Sequence, residues 1–269
     1  MKNKNKKQGI LITNMASYAI LQIVNMLVGL FLPRLYLAVY GSEVNGIIST
    51  ANSFISYFSY LEAGIGLTLI HSLFKPLAEN NVEQTNGILS YSQKQYRRIS
   101  GIYFILVVAL SLLFPIISSS DALSRWEFVS LVFVIGTYGA LDFFTMAKYR
   151  VLLTADRKEY VISNAFIIAQ LLRFGFVWLL LQFNISVVFV KIVPILTLLV
   201  RSLILRIYIK QNYPNMDYKA PPTCDFSVTN NRWDALLLQI SINTSVSLPT
   251  IIISQVLGFK EANVYAVYS

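Results

Sequence analysis

Long apolar runs alternate with short polar intervals along the chain, and this alternation predicts helices that cross a bilayer repeatedly. Residues 10–33, 99–120 and 235–259 carry no charge. The run 44–74 is interrupted only by Glu62 and His71, and 128–147 only by Asp142. The run 160–200 contains Arg173 and Lys191, is long enough for two helices, and has a polar dent at Gln182-Phe183-Asn184. A hydrocarbon core of about 30 Å takes about 20 apolar residues per helix. Seven spans are therefore expected, over 9–39, 44–73, 98–119, 127–148, 159–181, 185–210 and 233–257. Helices satisfy their own backbone polar groups, as lipid requires, whereas a barrel would show alternating segments of about ten residues. The expected fold class is an all-α polytopic membrane protein.

Composition agrees with this pattern. Hydrophobic residues make up 55% of the chain and charged residues 13%, outside the range of soluble domains. The basic start 1–7 precedes an apolar stretch too long for a signal peptide and without a small-residue cleavage site. Cys224 is the single cysteine and forms no internal disulfide.

Lysine and arginine fall mainly between alternate pairs of spans: Lys2, Lys4, Lys6 and Lys7; Lys75, Lys94, Arg97 and Arg98; Lys148, Arg150, Arg157 and Lys158; Arg206, Lys210, Lys219 and Arg232. The other side has little more than Arg125 and Lys260. This bias places the N-terminus on the cytoplasmic side. Topology and anionic headgroups account for the net charge of +9, and no nucleic-acid partner is implied.

The outer connections are short, at Gly41-Ser42-Glu43 and Gln182-Phe183-Asn184. The inner segment 79–98 reads as including a short amphipathic surface helix. Residues 212–232 hold Pro214, Pro221 and Pro222 and read as a linker. The seventh span resembles the first. Leu21-Gln22-Ile23 returns as Leu238-Gln239-Ile240, and Gly41 and Gly258 each follow the repeated glutamine by 19 residues. Pro33 and Pro249 correspond within one residue, and Asn45 matches Asn263 if one residue is inserted. The organisation expected is a six-helix lobe at 1–211, a cytoplasmic linker at 212–232, and the beginning of a second lobe at 233–269. An eighth helix is starting where the sequence stops, so the chain reads as the N-terminal part of a longer protein.

The motifs Leu32-Pro33-Arg34, 40–46 (YGSEVNG), 60–66 (YLEAGIG), Asn243-Thr244, 251–254 (IIIS), Gly258 and 264–269 (VYAVYS) carry a family resemblance. The chain resembles the Wzx-like polysaccharide and O-antigen flippases of the multidrug/oligosaccharidyl-lipid/polysaccharide exporter superfamily, over the first half to two-thirds of a member. The resemblance implies about twelve to fourteen helices in two lobes around a central cavity. It further implies export of undecaprenyl-pyrophosphate-linked glycan across the bacterial cytoplasmic membrane, with membrane lipids and other polysaccharide assembly proteins as partners. No covalent catalysis and no cofactor are implied.

Ionisable residues inside spans are functional candidates. Arg34 lies near the outer end of span one, Lys191 about two turns in from the outer end of span six, and Arg173 a little outside the middle of span five. Together they would ring the outer half of a cavity and suit a pyrophosphate, which arginine grips with a bidentate fork. Equally, Arg34 and Lys191 snorkel to headgroups, and Arg173 is neutralised by Asp142 or another buried acid. Glu62 and Asp142, in inner halves of their spans, are either ion-coupling carboxylates or structural partners of cations. Gln22, Asn25 and Gln239 either meet sugar hydroxyls or join helices. Pro33, Pro194 and Pro249 are expected to kink their helices.

Two other classes weigh against these. A cation-coupled multidrug exporter of the same superfamily calls for an acid-dominated cavity, whereas here candidate cations outnumber acids by three to two. A membrane enzyme of the same pathway calls for a large external loop or a histidine site, and His71 is the only histidine. No metal site is expected.

Overall fold

The computed structural model describes residues 2–62, 64–117, 122–218 and 232–268, and its regular elements are all helical. In order they are α1 (Lys2–Ser56), a 3-10 stretch (Tyr57–Glu62), α2 (Ile65–Ala78), α3 (Val82–Ile117), α4 (Arg125–Thr145), α5 (Ala147–Ala155), α6 (Glu159–Leu181), α7 (Val187–Val190), α8 (Val193–Asn212), α9 (Arg232–Val256) and α10 (Phe259–Tyr268). Among the described residues five segments are long and apolar enough to cross a membrane: 8–78, 82–116, 125–145, 159–181 and 187–212. The protein is all-α and of the multi-pass membrane type. The first segment takes in two of the expected spans. The seventh expected span coincides with α9, whose side chains before Ile240 lie outside the described residues, Gln239 among them. Most of the expected linker, with Cys224, also lies outside them.

Gly41 divides α1. Its φ of 80° and ψ of 173° are non-helical and fall in a region that glycine enters without a Cβ penalty. Asn25 and Asn52 would stand about 40 Å apart on a straight helix, yet both line one cavity, so the chain folds back at Gly41. The expected three-residue loop is thus a single-residue break.

The first arm of α1 runs parallel to α6 in constant register. Tyr160 N donates to Asn14 Oδ1 at 2.9 Å, Gln170 Nε2 to Asn25 Oδ1 at 2.9 Å, and Tyr40 Oη to the Ile185 carbonyl at 2.5 Å. The offsets are 146, 145 and 145 residues. Between these bonds Val28, Leu32 and Tyr36, one turn apart, pack with Val177 and Leu181.

The second expected span is not a continuous helix. It tightens to 3-10 geometry over 57–62, and Gly64 turns left-handed at φ 75° before α2 begins. The expected separate surface helix within 79–98 is also absent. Asn81 starts α3 by accepting the Gln84 N–H at 3.0 Å, and the helix then runs 36 residues without interruption. The reason is that 82–98 has a buried stripe (Thr85, Ile88, Leu89, Ser92, Tyr96) that continues at helical spacing into Ile99 and Tyr103. α4 begins with a capping box: Glu127 N donates to Ser124 Oγ at 3.4 Å, and Ser124 N donates to Glu127 Oε2 at 3.1 Å. The fourth expected span, 127–148, breaks at Met146, beyond which α5 continues.

α9 and α10 pack against the second arm of α1. Gly258, with φ 104°, separates the two helices as Gly41 separates the two arms. A side chain at Gly46 would collide with the Phe259 carbonyl, so the backbones meet closely there. Ser56 and Ser247 hydroxyls share a hydrogen bond at 2.9 Å. Phe114 is fully buried between Phe54, Phe128 and Phe259, with ring centroids 5.3, 5.4 and 6.3 Å away. Contacts of this kind hold helices together where lipid offers no hydrophobic drive. The outward faces are apolar: Ile105 is 68% exposed and Met26 66%.

Candidate anion-binding cavity

A cavity of about 760 Å³ lies between the two arms of α1, α6, the α7–α8 junction and the end of α10. Its lining includes Asn25, Arg34, Arg173 and Lys191, four of the six residues expected to meet substrate; Gln239 is outside the residues whose side chains are described. Gln22 is exposed and does not belong to that lining. No carboxylate belongs to the described lining.

Lys191 occupies the cavity because span six is broken. α7 ends at Val190, Lys191 and Ile192 form a turn, and α8 begins at Val193. Pro194 stands in the first turn of α8, where its missing N–H leaves no helical bond unmade. It therefore marks a helix start, where a kink within a continuous helix was expected. Lys191 Nζ sits 3.9 Å from the Tyr36 ring centroid, a cation–π distance. Pro33 also lines the cavity, but the helical backbone runs through it and breaks only at Gly41. Pro249 lies within the unbroken α9.

Arg173 is held on one side only. Its Nη1 donates to Gln170 Oε1 at 3.5 Å, and Gln170 in turn donates to Asn25. Arg173 Nε and the Tyr36 hydroxyl are buried without a hydrogen-bond partner among the described residues. No described carboxylate comes within ion-pair distance of Arg34, Arg173 or Lys191. Fixed cations that keep unused donors in a weakly screened site form a receptor for an anion.

Asp142 does not neutralise Arg173. It is clamped by two other arginines, Arg201 on α8 and Arg150 on α5, the latter at 3.1 Å. Arg201 is only 4% exposed, and its guanidinium lies 4.7 Å from the Phe166 ring centroid. Neither arginine is among the expected candidates, since position 201 falls inside an expected span and 150 in a basic loop. A usable signal was present for Arg201: Thr197, Leu198, Arg201 and Leu205 recur at helical spacing, which puts the arginine on the buried stripe. Glu62 accepts the Tyr96 hydroxyl at 2.7 Å, beside the 3-10 break. A small gap lined by Gln170, Arg173, Thr197 and Arg201 lies between the cavity cation and the Asp142 cluster.

The arrangement can bind an anion and surround it with amides and hydroxyls from Asn25, Asn45, Ser49, Asn52 and Gln170. No family model, curated protein or solved structure matches the chain.

Proposed function

We propose that this chain forms the first lobe, and the opening helices of the second, of a carrier that flips undecaprenyl-pyrophosphate-linked oligosaccharide across the bacterial cytoplasmic membrane, with its N-terminus in the cytoplasm. The observation that carries this reading is the cavity that Arg34, Arg173 and Lys191 line without a carboxylate. A pyrophosphate needs fixed positive charge, and the neighbouring amides suit sugar hydroxyls. Two further features favour a two-lobe plan. Gly41 and Gly258, which correspond in the sequence repeat, both break helices at positive φ. Asn45 and Asn263, which also correspond, meet each other directly.

The multidrug alternative loses its main acid, because Asp142 is occupied by Arg201 and Arg150. On this reading Asp142 organises the lobe, and ion coupling falls to Glu62 if it resides in this part of the chain. The decisive experiment expresses the full reading frame in a flippase-deficient strain. Restored surface polysaccharide supports the proposal. Normal membrane insertion without any restoration, across strains with different glycans, overturns it.

A further inference from the structure

A second cationic cluster lies away from the cavity, just beyond the end of α4. Lys148, on α5, sits between two tyrosine rings, with Nζ 5.0 Å from the Tyr149 centroid and 5.4 Å from that of Tyr218. The two rings meet edge to face at 6.0 Å. One turn before Lys148, Phe144 takes the Arg97 guanidinium of α3 at 5.8 Å. Burial lowers the Lys148 pKa, and the like charges of Arg97 and of Arg206 on α8 lower it further. No described carboxylate is within ion-pair distance of any of them. The Tyr218 hydroxyl is buried without a hydrogen-bond partner among the described residues.

Two arginines whose charges repel a half-buried lysine raise the free energy of the fold unless an anion joins them. The surroundings indicate which kind. Along α3, Phe104 is exposed two turns past Arg97 on the same face, and Leu203 is exposed one turn before Arg206 on α8. Phe144 is exposed as well. The charges thus stand at the margin of the apolar surface that faces lipid, where aromatic and basic side chains meet headgroups. An occupant with one phosphate and adjoining hydrocarbon chains satisfies both parts.

We infer that Arg97, Lys148 and Arg206, with Tyr149 and Tyr218, form a binding site for the phosphate of an anionic glycerophospholipid whose acyl chains lie along Phe104 and Phe144. The site is separate from the cavity and does not depend on what the cavity carries.

The test uses the purified full chain in nanodiscs of phosphatidylcholine, with and without phosphatidylglycerol. Phosphatidylglycerol is expected to raise Tm by about 3–6 °C, and high salt to reduce that rise. The variant R97Q/K148Q is expected to lose most of the rise, whereas K75Q, which changes an exposed lysine elsewhere, retains it. Should R97Q/K148Q fail to fold, the milder R206Q and the salt titration of the unmodified protein carry the test. An unchanged Tm with phosphatidylglycerol, or a rise that survives in the variants, overturns the inference. So does a rise of the same size with inorganic phosphate in neutral discs, since the ligand is then a soluble anion.

Discussion

Asn45 Nδ2 donates to Asn263 Oδ1 at 2.5 Å, joining residues 218 positions apart in a buried contact. Both amides are almost fully buried, so truncating one strands its partner. Asn45→Ala is expected to destabilise the protein by about 1–3 kcal/mol, and Asn263→Ala by a similar amount. The double variant is expected to cost clearly less than the sum. Thermal unfolding of the four proteins in one detergent measures this, and strict additivity would show that the pair contributes nothing as a pair.

Asp142 and Arg173 are expected to behave oppositely. Asp142→Asn removes the one carboxylate that holds two arginines, of which Arg201 is almost fully buried. Breaking such a cluster costs about 3–5 kcal/mol, so yield and Tm fall. Arg173→Gln breaks no ion pair and is expected to leave Tm within a few degrees. Comparable Tm losses in both variants would refute the contrast.

Transport depends on the cavity cations under the proposed function. In the flippase-deficient strain, Arg173→Gln and Lys191→Gln are each expected to lower surface polysaccharide at least about tenfold at equal membrane abundance. Arg173→Lys is expected to retain part of it, since charge survives and the fork is lost. Full activity in both glutamine variants would remove these side chains from the pathway.

Tyr213 provides a pH dependence outside the membrane spans. It donates to Asp156, and Lys158 Nζ donates to its hydroxyl at 3.0 Å while pairing with Asp156 at 2.9 Å. Burial, followed by the bond to Asp156, pushes the Tyr213 pKa well above its ordinary value. The folded state therefore keeps its proton after the unfolded state has lost it. This contribution is intact below about pH 10 and falls by up to about 1.4 kcal/mol per pH unit above it. Tyr213→Phe is expected to flatten the alkaline loss of stability by about one proton's worth, read from Tm between neutral pH and pH 11. An identical slope in the variant would contradict it.

Hydropathy located the helices because length and apolarity are properties of a segment, and α6 begins and ends where the expected span does, at Glu159 and Leu181. Depth along a span also sufficed to put Arg34, Arg173 and Lys191 within reach of one cavity. Which way a residue faces is a property of packing, and there the reading fell short. Gln22 and Asn25 lie three residues apart, yet only Asn25 meets Gln170. Arg201 falls inside the expected span 185–210 and is not among the expected candidates, although it closes on Asp142 across 59 residues. The division of span six at Lys191 was signalled by Pro194, but the proline alone does not distinguish a kink from a new helix.

The parallel alignment of Asn14–Tyr40 with Tyr160–Ile185 makes chain length itself a specification. Three polar contacts share an offset of about 145 residues, so adding or deleting one residue between any two of them, in either helix, rotates everything beyond it by about 100°. The same error would swing Arg34 or Arg173 out of the cavity toward lipid. These two stretches can therefore change their letters much more freely than their spacing, and insertions belong outside them.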